Sequence, residues 1–148
     1  MPAAILWATA GTRYSAAIAG PGQWWFWLSV VPGCLGLVFA IWTVRLFSER
    51  GGGTPAPWNP PTKLVVRGPY RHVRNPMITS VMAILAAEAL LFRSWPVAAW
   101  LLAFLVVNAV YLPLFEERDL QRRFGEDYKL YRSNVPRWWP RLTPWRQP

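Results

Sequence analysis

The sequence predicts an all-α fold, a polytopic bundle of membrane helices. Of its 148 residues, 53% are hydrophobic and only 16% are charged, which is more apolar than a soluble domain of this size usually is. Residues 23–47 hold no charge before Arg45, and residues 95–115 hold none at all. A helix needs about 20 residues to cross a hydrocarbon core of about 30 Å, so each run is long enough to span.

A third span is predicted between these two, over Pro76 to Phe92, although it is shorter and carries Glu88. Residues 1–20 are apolar but are interrupted by Gly11, Thr12 and Arg13. They are interpreted as an interfacial helix or a fourth span, with the first slightly favoured. No repeat and no second soluble domain is visible, so residues 1–148 are treated as a single domain.

The net charge of +9 is concentrated on one predicted side of the membrane. By the positive-inside rule, the connection after the first strong span and the tail after the last one are cytoplasmic. Because these positive residues flank apolar spans, they point to lipid head groups and not to nucleic acid. They are Arg45, Arg50, Lys63, Arg67, Arg71 and Arg74 in the connection, and Arg118, Arg122, Arg123, Lys129, Arg132, Arg137, Arg141 and Arg146 in the tail.

Metal and disulfide chemistry are excluded by the composition. Cys34 is the only cysteine and His72 the only histidine, so neither an intrachain disulfide nor a multi-histidine or cysteine metal site can form. Most of the eleven tryptophans, among them Trp138 and Trp139 in the tail, fit interfacial positions.

The most informative stretch runs from Gly68 to Met77. Asn75 is a good N-cap and Pro76 suits the first helical position, so a helix is predicted to begin there with its positive dipole end beside Arg71 and Arg74. This arrangement predicts an anion-binding corner at the membrane surface. Residues 63–66, just before it, are predicted to be extended.

The tail is predicted to fold into a short helical cytoplasmic cap. Residues 116–124 keep helical spacing, and Gly125 is a natural end for that helix. Residues 128–132 form a second amphipathic helical piece, which is ended by Pro136. Glu116 and Glu117 begin this cap, and adjacent carboxylates on a helix point about 100° apart. One can therefore accept hydrogen bonds from a polar ligand while the other pairs with arginine, although a solvated, ion-paired helix end explains the pair equally well.

These two regions together resemble the isoprenylcysteine carboxyl methyltransferase and phospholipid methyltransferase superfamily. The resemblance covers roughly residues 64–140, and its two-part spacing makes it more specific than either part alone. It consists of Gly68-Pro69-Tyr70-Arg71-x-x-Arg74-Asn75-Pro76-Met77, then Glu116-Glu117-x-x-Leu120-x-x-x-Phe124-Gly125-x-x-Tyr128-x-x-Tyr131, and finally Val135-Pro136-Arg137.

The resemblance implies a multi-pass membrane enzyme that binds S-adenosylmethionine at the cytoplasmic face and methylates a lipophilic or lipid acceptor. Arg71 or Arg74 would hold the carboxylate of the donor, Glu116 or Glu117 would accept from its ribose or amino groups, and Tyr70 or Tyr131 would face its sulfonium. We expect Glu117 and Arg74 to be catalytic. The expected donor-binding residues are Val66, Gly68, Tyr70, Arg71, Arg74, Asn75, Pro76, Met77, Glu116, Glu117 and Tyr131.

The chain departs from the family pattern at two positions. Asn75 stands where the family usually has a histidine, and Ile78 where it often has a tyrosine. Asparagine cannot become a cation near neutral pH, which weakens any proton-transfer role for that position. The alternative hypothesis is a non-catalytic membrane protein that binds anionic lipid or a partner subunit. The acceptor and the oligomeric state are not determined by the sequence.

Overall fold

The computed structural model describes residues 2–50, 64 and 66–146, and these are all helix, turn or loop, with no strand. The helices are α1 (Pro2–Thr9), α2 (Trp24–Arg50), α3 (Pro76–Leu91), α4 (Trp95–Tyr111) and α5 (Glu117–Asn134). A short 3-10 turn covers Gly68–Arg71, and a π-helical turn, Leu112–Glu116, joins α4 to α5. The predicted extended segment at residues 63–66 includes two residues that lie outside the described part of the chain.

Two helical segments are long and apolar enough to cross a membrane, Trp24–Leu46 and the segment that begins at Trp95. Most of their apolar surface is exposed, as with Leu35 and Val107, which sets them apart from the core helices of a soluble protein. The last segment continues to Asn134, but its uncharged part ends at Phe115.

The number of spans is not confirmed. With 16 residues, α3 rises about 24 Å, less than the hydrocarbon core it was predicted to cross. At the N-terminus, α1 has eight residues and rises about 12 Å, so the fourth span considered for residues 1–20 is not formed by this helix.

The described residues fall into two compact units. The first contains residues 2–37 and 80–109 and is packed through small side chains. A Cβ placed on Gly36 would lie 2.9 Å from Cγ1 of Ile84, and one on Gly33 would lie 3.3 Å from Cβ of Ala87, so only glycine allows these helix backbones to approach as they do.

The second unit contains residues 38–79 and 110–146 and has a polar interior as well as an apolar cluster. Tyr128, Tyr131 and Val135 are buried there, and their apolar neighbours are Leu64, Val66, Leu120, Phe124 and Trp145. The helix stop predicted at Gly125 is confirmed. Its backbone (φ +53°, ψ −124°) is not helical and is accessible only to glycine, so α5 is kinked there between two helical pieces.

Candidate functional site

The turn from Gly68 to Arg71 leads the chain into α3. Gly68 has φ +53°, and a Cβ there would lie 3.3 Å from Nε1 of Trp42, so both the backbone conformation and the available space require glycine. Helix α3 begins at Pro76 as predicted, and the carbonyl of Asn75 accepts from both the N–H and the hydroxyl of Thr79 at 3.0 Å. The side chain of Asn75 makes no hydrogen bond to the described residues, so the predicted side-chain cap is absent.

The segment after α5, residues 135–146, runs along this turn, and we call it the strap. It is tied to residues 71–74 at three points by backbone hydrogen bonds. They join Arg74 N–H to Pro136 O (2.9 Å), Arg141 N–H to His72 O (3.0 Å) and Trp145 N–H to Arg71 O (2.9 Å).

Side chains reinforce the ties of the strap. Nε of Arg71 donates to the carbonyl of Trp145 at 2.7 Å, and Nδ1 of His72 donates to the carbonyl of Arg141 at 2.7 Å. The terminal amino groups of Arg71 make no hydrogen bond to the described residues. The strap therefore fixes the backbone of the turn and leaves the two terminal amino groups of Arg71 without a partner among the described residues.

Glu117 is the centre of a buried ion cluster. Its side chain is only 3% exposed. Its Oε1 accepts from Nη1 of Arg74 and from Nε of Arg137, both at 2.8 Å, and its Oε2 accepts from Nη2 of Arg137 at 3.0 Å. Nε of Arg132 lies 3.5 Å from Oε2. The contact between Arg74 and Glu117 joins the two halves of the sequence motif, 43 residues apart.

The π-helical turn Leu112–Glu116 ends at Glu116 and leads directly into Glu117, the first residue of α5. Pro113 lacks an N–H and interrupts the α-helical ladder, and the backbone N–H of Glu117 donates to the carbonyl of Leu112, five residues back. Such single turns are frequent at functional sites.

Glu116 contrasts with its neighbour, because no side chain in the described part of the chain pairs with it. Burial raises its pKa above the ordinary value for a carboxyl group, and the negative charge of Glu117 raises the pKa further. Glu116 also lies near Tyr70, whose pKa is raised first by burial and then by this carboxylate. The pair thus combines one carboxylate bound by arginine with one that has no cationic partner.

Tyr131 belongs to the apolar cluster of the second unit. Its hydroxyl donates to the carbonyl of Tyr70 at 2.7 Å, and its ring centroid is 5.8 Å from that of Trp145. Only 3% of the residue is exposed, and burial raises the pKa of its hydroxyl. Tyr128 lies beside it, and burial raises the pKa of its hydroxyl as well.

The structure brings most of the predicted site residues into the second unit around the turn and the start of α5. Arg74 contacts Glu117, Tyr131 contacts Tyr70, and Val66 packs on the cluster that contains Tyr131. Met77 is 39% exposed on the first turn of α3, next to the buried Pro76. Glu117 and Tyr131 are bonded to other residues of the chain, whereas the terminal amino groups of Arg71 and the side chains of Asn75 and Glu116 make no hydrogen bond to the described residues.

Sequence reasoning missed Arg132 and Arg137 as site residues, and it missed the role of Trp145. Arg137 stands in the Val135-Pro136-Arg137 part of the motif, which was the signal that pointed to it. Nothing in the spacing of Trp145 indicates that it bonds to Arg71, 74 residues earlier.

Comparison with known families identifies the chain. The model of the phospholipid methyltransferase family matches residues 24–127, more than two thirds of the chain. The chain belongs to this family. The match includes both Arg74 and Glu117 and ends before the strap. It supports methyl transfer and association with membranes and lipids, whereas it gives no support for isoprenylcysteine as the acceptor.

Comparison with curated proteins gives no match, and comparison with solved structures gives none either.

Proposed function

We propose that this protein transfers a methyl group from S-adenosylmethionine to a lipid or other lipophilic acceptor at the cytoplasmic face of a membrane. Membership of the phospholipid methyltransferase family supports methyl transfer and a lipid-type acceptor. The observation that carries the proposal is the contact between Arg74 and Glu117 at 2.8 Å, because it joins the two motif halves in one folded unit.

The groups around this contact suit the proposed donor. S-adenosylmethionine has a carboxylate, a ribose with two hydroxyls and a cationic sulfur. A site that binds it needs a cationic side chain and hydrogen-bond acceptors that are not already bonded to other residues. The terminal amino groups of Arg71, which have no partner in the described part of the chain, suit the carboxylate, and Glu116 suits the ribose hydroxyls or the cation. The side chain of Asn75 offers a further donor and acceptor. When bound, the donor supplies an electrophilic methyl group on its sulfur.

In this proposal Arg74 and Glu117 act as positioning residues and do not transfer protons. Arg74, Arg132 and Arg137 each pair with Glu117. A carboxylate that accepts three hydrogen bonds in a buried place holds the first turn of α5 against the start of α3. Glu116 is thereby held in a fixed position beside Tyr70.

Tyr70, and not Tyr131, is proposed to face the sulfonium. The ring of Tyr131 packs against Tyr128 and Trp145, whereas Tyr70 is near the unpaired carboxylate of Glu116. An aromatic face together with a carboxylate stabilises a cation in a partly desolvated place. Methyl transfer is an in-line displacement, for which alignment of acceptor and donor and exclusion of water can supply much of the acceleration.

The cytoplasmic placement is supported by charge. Basic residues follow both long apolar segments, on the connection and on the tail, and such residues are enriched on the cytoplasmic side. The multi-pass arrangement is supported by the two membrane-length segments and the shorter apolar helix α3.

A methyl-transfer assay tests the proposal. Purified protein in vesicles of phosphatidylethanolamine and phosphatidylglycerol is incubated with donor labelled in its methyl group, and the lipid extract is counted. We expect label in the lipid fraction with the wild type and a loss of at least tenfold with Glu116→Gln. Asp119→Asn, which changes an exposed carboxylate on the adjoining helix α5, is the matched control and should retain activity.

The alternative, a non-catalytic protein that binds anionic lipid or a partner subunit, is favoured by Asn75 in place of the usual histidine. It predicts binding to anionic vesicles that falls steeply with salt and is insensitive to the donor or its demethylated product. A folded sample that binds such vesicles but transfers no label to any lipid tested would support it.

A further inference from the structure

The strap carries two large apolar side chains that nothing in the described structure covers. Trp139 is 84% exposed and Leu142 is 97% exposed. The three backbone ties of the strap, at Pro136, Arg141 and Trp145, divide it into two short loops. Each loop holds one of these side chains outward.

The exposure is built into the strap and is not the result of a loose tail. Pro140 and Pro144 restrict the backbone of the two loops. The guanidinium of Arg141 donates to the carbonyl of Asn134 at 2.8 Å and to the hydroxyl of Thr143 at 3.3 Å, which fixes the junction between the loops. A rigid presentation of tryptophan and leucine to water is unfavourable unless another apolar medium receives them.

We infer that the strap binds membranes and inserts Trp139 and Leu142 into the interfacial layer of an anionic bilayer. Tryptophan favours this layer because its ring is apolar and its N–H is polar. The same folded unit also exposes Phe115 and Tyr111 at the end of a membrane-length segment, so a bilayer is already the expected neighbour of this unit.

The basic residues of the strap favour lipids with anionic head groups. Arg146 is exposed at the end of the strap, and Arg141 lies directly beside Leu142. Basic residues near the surface of the cytoplasmic leaflet are attracted to anionic head groups. A protein partner with an apolar groove would also cover Trp139 and Leu142, but it gives no reason for the arginines next to them.

The consequence is that lipid contact and the methyl-transfer region share one piece of backbone. The residues that tie the strap, Arg71, His72 and Arg74, form the turn that precedes α3. Insertion of Trp139 and Leu142 into the interfacial layer therefore fixes how deeply this turn lies relative to the lipid head groups. The inference concerns lipid contact alone and does not depend on the proposed function.

Site-directed fluorescence tests the inference. In a Cys34→Ala background, which removes the only cysteine, an environment-sensitive fluorophore is attached at Trp139→Cys, at Leu142→Cys or at Glu126→Cys. Glu126 is a matched control, because its side chain is also 84% exposed in the same unit but is charged. Each protein is reconstituted in vesicles of phosphatidylcholine and phosphatidylglycerol, and its helicity and size in detergent are compared with the wild type.

We expect a lipid with a nitroxide near the head of its acyl chain to quench the labels at 139 and 142 several-fold more than the label at 126, and iodide in the water to show the reverse order. Replacing phosphatidylglycerol by phosphatidylcholine should lower the lipid quenching at 139 and 142.

Equal access of iodide to all three labels would overturn the inference. So would labels at 139 and 142 that are protected from both quenchers, since protein would then cover the strap. Quenching that does not change with phosphatidylglycerol content would contradict the preference for anionic lipid. These results do not involve the methyl donor, so a failure here is distinguishable from a failure of the proposed function. If the variant at Trp139 misfolds, the variant at the fully exposed Leu142 gives the same test.

Discussion

The two units of the molecule are stabilised by different kinds of contact. In the first unit, Gly36 and Gly33 let helices approach closely, so the packing there depends on the shape of small side chains. In the second unit, one buried carboxylate is bound by Arg74, Arg137 and Arg132, and the strap is tied by backbone hydrogen bonds. Packing by shape tolerates many apolar sequences of similar volume, whereas an ion cluster requires particular residues. The residues proposed for methyl transfer belong to the second unit.

The largest effect is expected from Glu117→Gln. The substitution leaves the largely buried guanidinium groups of Arg74 and Arg137 without their counter-charge, and breaking a buried ion pair in this way costs about 3–5 kcal/mol. Thermal unfolding in detergent measures the loss. Asp119→Asn is the control, because that carboxylate is 63% exposed and its pair with Arg123 should contribute less than about 1 kcal/mol. Equal stability of the two variants would contradict the role given to the cluster.

Arg137→Lys is expected to have the next largest effect on stability. Lysine keeps the charge but cannot form the two parallel hydrogen bonds that Arg137 makes with Glu117. Hydrogen bonds to charged groups contribute about 1.5–3 kcal/mol, so a loss in that range is expected in chemical denaturation. Arg118→Lys, at an exposed arginine of α5, provides the comparison. If both substitutions behave alike, the forked geometry has no energetic importance.

Gly36→Ala tests the first unit. The new methyl group would lie 2.9 Å from Cγ1 of Ile84 and 3.0 Å from the carbonyl of Ser80, so the helices must separate. Overpacking costs about 1–3 kcal/mol. The better helix propensity of alanine offsets roughly 1 kcal/mol of this cost.

The controls for Gly36→Ala follow from the space around each glycine. Gly33→Ala should cost less, since its nearest atom is at 3.3 Å, and Gly22→Ala should cost little because nothing lies within 4 Å. Melting temperatures that do not follow this order would show that the helices are not packed as described.

The smallest effect on stability is expected from Glu116→Gln, and it should depend on pH. Because the pKa of Glu116 is raised in the folded protein, the folded state binds its proton more tightly than the unfolded state does. The stability of the wild type therefore falls as the pH rises from the ordinary carboxyl pKa through the raised one. The glutamine variant should lack this fall and be the more stable protein above that window. Melting curves across the pH range measure it, and parallel profiles would show that Glu116 is not perturbed.

Much of the second unit could be predicted from local sequence. The helix start at Pro76, the stop at Gly125 and the end of the helix before Pro136 depend on residues with strong backbone preferences, and all three are found. The pairing of Asp119 with Arg123 follows from helical spacing and is also found, at 3.4 Å.

The remaining features depend on contacts that have no local signal. The strap bonds to residues about 62 to 74 positions earlier, and extended chain without periodicity gives no indication of its partner. The choice between Glu116 and Glu117 likewise depends on the register that the π-helical turn imposes, which Pro113 alone does not determine. The number of spans has no local signal for a related reason, since α3 is largely apolar but has only 16 residues and carries Glu88.

The most direct measurement is calorimetric titration of the folded protein in detergent with S-adenosylhomocysteine, the demethylated product of the donor. We predict saturable binding by the wild type and by Asp119→Asn, and binding at least tenfold weaker in Glu116→Gln. We also predict that the affinity of the wild type falls as the pH is lowered through the raised pKa of Glu116. A folded wild type that binds no S-adenosylhomocysteine at millimolar concentration, or a Glu116→Gln variant that binds it with unchanged affinity, would contradict the account.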